Sequence, residues 1–274
     1  LNIVIVGGGA TGIEVAGILS EMKKFVLPND YPDMPSSLMH IYLIEAGPRL
    51  LAGMSEESSA HAEQFLREMG VNILLNKRVV DYRDHKVVLE DGTEIATRTF
   101  IWVSGVTGVT IGNLDASLIG RGGRIKVDSF NRVEGMNNVF AIGDQCIQLA
   151  DENYPNGHPQ LAQVAIQQGE LLAKNLIRME KGQEMKPFHY RNLGSMATVG
   201  RNRAVAEFSK VKMQGWFAWV MWLVVHLRSI LGVRNKVIVL LNWIWNYFTY
   251  DQSMRMIVYA RKAKEIRDRE KLEE

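Results

Sequence analysis

The chain has 274 residues, 47% of them hydrophobic and 23% charged, which suits one large domain or two ordinary ones around a sizeable core. Its 32 Lys and Arg against 30 Asp and Glu leave a net charge of +2, so no nucleic-acid partner is expected and any basic preference must be local. A single cysteine, Cys146, excludes an internal disulfide, a four-cysteine cluster and a C-x-x-C redox pair, and the six histidines, at 40, 61, 85, 158, 189 and 226, show no metal-ligand spacing, so no metal is expected.

No secretory signal opens the chain, because its first residues read as a core strand; without an initiator Met or any lead-in, Leu1 reads as a cut end. Ile3, Val4, Ile5 and Val6 form a β-branched run that flows into Gly7-Gly8-Gly9-Ala10-Thr11-Gly12, a G-x-G-x-x-G at the mouth of a helix. Gly7 allows a sharp turn, Gly9 lets backbone approach a pyrophosphate, and Gly12 lets helix and strand pack closely, while the helix N-terminus offers unpaired N–H groups to the anion. This predicts a dinucleotide cradle, the competing reading being a glycine-rich structural turn. A helix is expected over 11–25, followed by an irregular connection over 26–39 that holds Pro28, Pro32 and Pro35.

Ile41 to Ile44 predict a second buried strand, ending in Glu45. An acid there accepts hydrogen bonds from the adenosine ribose and repels a 2′-phosphate, which favours NADH over NADPH; Arg49 nearby argues the other way. Ser55-Glu56-Glu57 predicts a capped helix stopped by Gly70, and residues 71–75 a third strand. Short antiparallel strands are expected over 79–104, with Asp91-Gly92 as a hairpin turn and Phe100 to Val103 returning to the main sheet. Ser104-Gly105 closes that unit, and Gly105 is counted with the cofactor-binding residues.

Further on, residues 124–127 predict a strand, and Val139 to Ile142 a buried strand ending in Gly143-Asp144 ahead of a helix over 158–179. Asp144 there either accepts from a polyol such as a ribityl chain or caps the next turn. Five of the six tryptophans, at 216, 219, 222, 243 and 245, fall in one stretch, which contains ten consecutive apolar residues from Trp216 to Val225 and a second apolar run over 237–248. At ~1.5 Å per residue neither run reaches the ~30 Å of a hydrocarbon core. Around them stand Arg201, Arg203, Lys210, Lys212, Arg228, Arg234 and Lys236, with Glu207 the one acid between Arg201 and Lys236. Aromatic belts with a basic margin predict an element over 215–250 lying in the headgroup region, the other readings being core helices or a homodimer interface. A charge-dense, solvated helix is expected over 254–274.

Five blocks carry a family resemblance: IVIVGGGATGIEVA over 3–16, IYLIEAGPR over 41–49, FAIGD over 140–144, AQVAIQQG over 162–169 and GSMATVGR over 194–201. Together they resemble type II NADH:quinone oxidoreductases, the non-proton-pumping alternative NADH dehydrogenases. The resemblance implies an α/β fold of the two-dinucleotide flavoprotein type. It divides the chain into a Rossmann-like NADH-binding domain over 1–105, the trailing part of an FAD-binding domain over 106–186 and an α-helical membrane-docking region over 187–274.

It further implies that Gly7, Gly8, Gly9, Ala10, Thr11, Gly12 and Glu45 hold NADH, that Gly143 and Asp144 touch FAD, and that Gln163 and Gln167, one helical turn apart, line the quinone end. Those glutamines read otherwise as solvated helix residues. Glu14 reads as a dipole partner in the first helical turn, or, through the resemblance, as a catalytic group relaying a proton or positioning the nicotinamide. Family members carry a further glycine fingerprint for FAD upstream. The chain is therefore expected to be a fragment that binds FAD poorly and does not turn over alone. The activity implied is hydride transfer from NADH to FAD and electron transfer to a membrane quinone, at the cytoplasmic face of the cell membrane. A soluble-partner flavin reductase of the ferredoxin or rubredoxin type and a non-catalytic, membrane-tethered NADH-binding module are the alternatives.

Overall fold

The computed structural model describes residues 1–33, 35–109, 111–209 and 211–249. The first β-branched run is strand β1 (Asn2–Val6), followed by β2 (His40–Ile44), β3 (Val71–Leu74), the short strands β4 (Val79–Arg83), β5 (Lys86–Leu89) and β6 (Glu94–Ala96), and then β7 (Thr99–Trp102). Four of these form a parallel sheet in the order β3-β2-β1-β7, with β1 inside it, pairing Ile5 with Leu43 on one side and Ile101 on the other. A strand buried on both faces needs a continuous apolar run, and β1 supplies it. Ile3 and Ile5 face one core with Ile13, Ala16, Ala62 and Leu66, whereas Val4 and Val6 face another with Val87, Leu89 and Ile95 of the antiparallel meander β4-β5-β6.

Helix α1 (Ala10–Glu21) follows the glycine loop and is shorter than expected: a π turn over Met22–Val26 interrupts it, a four-residue α2 (Leu27–Asp30) follows, and a 3-10 turn over Ser36–Leu38 delivers the chain to β2. Thus part of the connection read as irregular is helical. Helix α3 (Glu56–Glu68) has the expected ends. The Ser55 hydroxyl accepts from the Ser58 amide at 3.4 Å, and Gly70 adopts φ +81° after the last turn.

Beyond residue 106, β8 (Ile125–Val127) pairs in parallel with β9 (Cys146–Gln148). This corrects the strand expected at Val139 to Ile142. That segment makes one isolated bridge, Arg132 to Phe140, and Val139 is exposed; Gly143 at φ +65° then turns the chain before pairing resumes at Cys146. Helix α4 (Ala162–Glu180) begins four residues later than expected. The His158 side chain is buried in the loop instead, with Nε2 3.0 Å from the Asp151 carboxylate, and Pro159 lies between it and the helix.

The third part contains a sheet the sequence reading did not anticipate, β10 (Ser195–Gly200), β11 (Arg203–Phe208) and β12 (Val211–Gln214), all antiparallel and turning at Asn202 with φ +62°. Helix α1 lies against β10 so closely that a Cβ on Gly17 would overlap the Val199 carbonyl. Two helices follow, α5 (Gly215–Ser229) and α6 (Val233–Thr249). Among the described residues no helix is long and apolar enough to cross a membrane. The helix expected over 254–274 lies outside the described residues.

Candidate functional site

The glycine loop leaves β1 at the C-terminal edge of the parallel sheet, where this fold class binds ligands. Gly7 adopts φ +117°, a turn that L side chains rarely make, and its amide donates to the Ile44 carbonyl at 2.9 Å. A Cβ on Gly12 would overlap the Gly7 carbonyl oxygen, whereas a Cβ on Gly9 would meet nothing within 4 Å. Gly12 is therefore closed by protein, and Gly9, Ala10 and Thr11 form an exposed lip at the N-terminus of α1. No side chain caps that helix end, so its first amides point at open space, the arrangement an anion needs.

Glu45 stands at the mouth of the same loop. Its carboxylate accepts from the Gly8 amide at 2.5 Å and from the Gly47 amide at 2.7 Å, which fixes both oxygens at the end of β2. Arg49 does not compete for this position, because its guanidinium donates to the carbonyls of Leu51, Ala52 and Met54. Ser104 packs against Gly7, so Gly105, at φ +79° and with open space around its Cα, comes to the same edge of the sheet.

Gly143 and Asp144 lie in a 3-10 turn, Gly143–Gln145, against the first turns of α4; a Cβ on Gly143 would come 3.1 Å from Ala165. The Gly143 amide donates to the buried Gln168 side chain at 2.6 Å. Asp144 is exposed, and its carboxylate accepts no hydrogen bond among the described residues, which fits either an incoming polyol or a solvated acid. Burial pushes the nearby Cys146 thiol up, so this lone cysteine is held as the unreactive thiol.

Gln163 and Gln167 do share one face of α4, as their spacing requires. Both amides are spent on the extended segment beside the helix: Gln163 donates to the Gly194 carbonyl and accepts from the Leu193 amide, each at 3.0 Å, and Gln167 donates to the Arg191 carbonyl at 2.9 Å and accepts from its amide at 3.1 Å. They behave as a short strand edge made of side chains.

Glu14 points away from the pyrophosphate lip. It enters a cavity of about 220 Å³ between α1, β10, α5 and α6, walled by Trp219, Trp222 and Leu223 of α5 and by Trp243, Asn246 and Tyr247 of α6. Burial raises its carboxyl above the ordinary value of 4.5, opposed by the Thr198 amide and the charge of His226. So Trp219, Trp222 and Trp243 face inward, while Trp216 and Trp245 are exposed. Sequence reasoning missed this wall. The i, i+3, i+4, i+7 set Trp219, Trp222, Leu223, His226 is a helical stripe that could have revealed it.

Comparison with known proteins gives the family. The family model described as pyridine nucleotide-disulphide oxidoreductase matches residues 1–169, and the NDH2 C-terminal domain matches residues 192–250. The chain belongs to the pyridine nucleotide-disulphide oxidoreductase family. Among curated members, it is 35% identical over 256 residues to the type II NADH:quinone oxidoreductase NdhA of Mycobacterium tuberculosis, covering 89% of this chain and 53% of that protein. It is 32% identical over 265 residues to the mitochondrial internal alternative NAD(P)H-ubiquinone oxidoreductase A1 of Arabidopsis thaliana, covering 90% of this chain and 51% of that protein. The chain thus spans about half the length of these relatives. The solved structure of NDH2 from Plasmodium falciparum in complex with NADH shares the fold at a TM-score of 0.81 and 19% identity, covering 93% of this chain and 67% of that one.

Proposed function

We propose that this family member is the coenzyme-facing and quinone-facing part of a membrane-surface flavoenzyme that oxidises NADH and reduces a quinone. The observation that carries the reading is helix α1, which puts both ends of such a reaction on one element. Its N-terminus is the open glycine lip beside Glu45, and Glu14, about 7 Å further along the axis, lies in the aromatic cavity under α5 and α6.

The residues divide the work as follows. Gly7, Gly8, Gly9, Ala10, Thr11 and Gly12 receive the pyrophosphate, with Gly105 at the same sheet edge, and Glu45 takes the ribose hydroxyls and disfavours a 2′-phosphate. The exposed Asp144 carboxylate and Gly143 would hold FAD, which would supply hydride-accepting and electron-carrying chemistry that no side chain of this chain offers. Gln163 and Gln167 fix the 191–194 segment at the quinone end and Glu14 handles a proton there. The domain limits that go with this assignment are 1–105, 106–186 and 187–274.

Helices α5 and α6 dock the enzyme on the cytoplasmic face of the membrane. The test is an assay of NADH oxidation with a quinone analogue in liposomes, on the chain joined upstream to an FAD-fingerprint segment, with NADH binding to the chain alone followed by calorimetry. Coenzyme-dependent quinone reduction is expected; an empty glycine loop at saturating NADH would overturn the proposal.

A further inference from the structure

The sixth tryptophan, Trp102, stands apart from the five of the C-terminal stretch, and the assignments above leave it without a task. It is the last residue of β7, and the parallel register sets it beside Val6, the residue that leads into the glycine loop. The Val103 amide donates to the Val6 carbonyl at 3.0 Å, and Ser104 packs against Gly7. Trp102 therefore stands at the mouth of the coenzyme loop, and its side chain is 55% exposed there.

The orientation of the indole is nonetheless fixed. Nε1 donates to the Ser104 carbonyl at 2.6 Å, and the ring meets Phe100 edge to face at 6.0 Å between centroids, while Phe100 in turn stacks on Tyr82 at 4.7 Å. An indole ordinarily buries its apolar body and keeps its N–H at the wet end. Here the N–H is spent on protein and the ring meets solvent. A rigid apolar surface left open beside a ligand loop is suited to stacking.

Strand order decides which end of the coenzyme reaches it. In the order β3-β2-β1-β7, Glu45 follows β2 on one side of the loop and Trp102 ends β7 on the other, two strand spacings or roughly 10 Å apart. A pyrophosphate on the loop lies between them. With the adenosine ribose on Glu45, the nicotinamide half is directed toward β7, where Trp102 and the open Gly105 stand.

We propose that Trp102 is the seat of the nicotinamide ring, with the indole covering one face of it. This deepens the proposed function and rests on its assignment of the glycine loop to NADH. The reduced nicotinamide is planar and uncharged, so it needs no ionic partner and matches an apolar platform. A ring backed on one side gives up hydride from the other, so the contact that adds affinity also selects the reacting face.

The test compares NADH with ADP-ribose, which lacks the nicotinamide, by calorimetry on the 274-residue chain. Trp102→Leu is expected to weaken NADH about tenfold and to leave ADP-ribose unchanged, while Trp102→Phe, which keeps a ring but loses the bond to Ser104, retains most of the NADH affinity. In NMR the indole signals of Trp102, identified by their loss in Trp102→Leu, should move with NADH and stay still with ADP-ribose. Equal weakening of both ligands would show an indole that merely props the loop. Unchanged NADH affinity, or signals that ADP-ribose also moves, would place the nicotinamide elsewhere, and each of these results overturns the inference. A wild-type chain that binds ADP-ribose as tightly as NADH would overturn the nicotinamide seat alone, whereas one that binds neither would remove the coenzyme reading as well.

Discussion

Gly9 and Gly12 are three positions apart and serve opposite needs. A methyl group at Gly12 has the Gly7 carbonyl in its way, so Gly12→Ala is expected to destabilise the fold by about 1–3 kcal/mol, read as a lower midpoint of thermal unfolding. A methyl group at Gly9 meets no protein atom. Gly9→Ala is therefore expected to leave the unfolding midpoint nearly unchanged and to weaken NADH binding by about tenfold in calorimetry. Equal losses of stability in the two variants would count against a ligand seat at Gly9. Both geometries, the closed Gly12 and the open Gly9, were legible from the motif because a strand, a turn and a helix in that order leave few arrangements for the three glycines. Glu14 was less legible. Its place in the first turn is visible in sequence, but the cavity it enters is made by helices some two hundred residues later. Its carboxyl is raised in the folded protein, so the native state binds the proton more tightly than the unfolded chain does. Stability from this group is full below 4.5 and is lost as pH rises through the folded value. Glu14→Gln, which cannot ionise, should raise the unfolding midpoint at neutral pH and lose that advantage below pH 4.5, which a series of thermal melts would check.

At the scale of elements, local chemistry and distant pairing separate what could be read from what could not. Strands β1 and β2 announce themselves because burial on both faces demands apolar, β-branched runs. Helix α3 announces both ends through Ser55 and Gly70. The sheet β10-β11-β12 does not, since Ser195-Met-Ala-Thr-Val-Gly200 is rich in small residues and its strands are completed by close packing of α1 through Gly17. Likewise, the spacing of Gln163 and Gln167 tells that they share a face of α4, yet nothing local tells that their partners lie 24 to 31 residues away. The pair holds the segment over 191–194 with four hydrogen bonds, each contributing ~1 kcal/mol net. Gln163→Ala with Gln167→Ala is expected to cost about 2–4 kcal/mol and to speed hydrogen exchange at the Arg191 and Leu193 amides. Exchange that stays slow there would show that β10 alone holds the segment.

For the whole molecule the decisive surface is the outer side of α5 and α6. Phe217 is 72% exposed, Leu241 60%, Trp245 60% and Phe248 76%, while Ala218, Trp219 and Trp222 turn toward the sheet and the cavity. Over the described residues the two helices run 15 and 17 residues, about 22 and 25 Å, and we propose that their apolar outer face lies along a membrane surface. Arg228, Arg234 and Lys236 stand at the junction of the two helices, and each cation near anionic lipid contributes ~1 kcal/mol. Two consequences separate lipid from a second copy of the chain as the cover for this face. Binding to anionic vesicles should weaken with salt, and Leu241→Asp with Phe248→Asp should abolish co-sedimentation while leaving the unfolding midpoint unchanged, because neither side chain contributes to the core. If the same double variant converts a dimer to a monomer and vesicles bind neither form, the face is an interface between protomers.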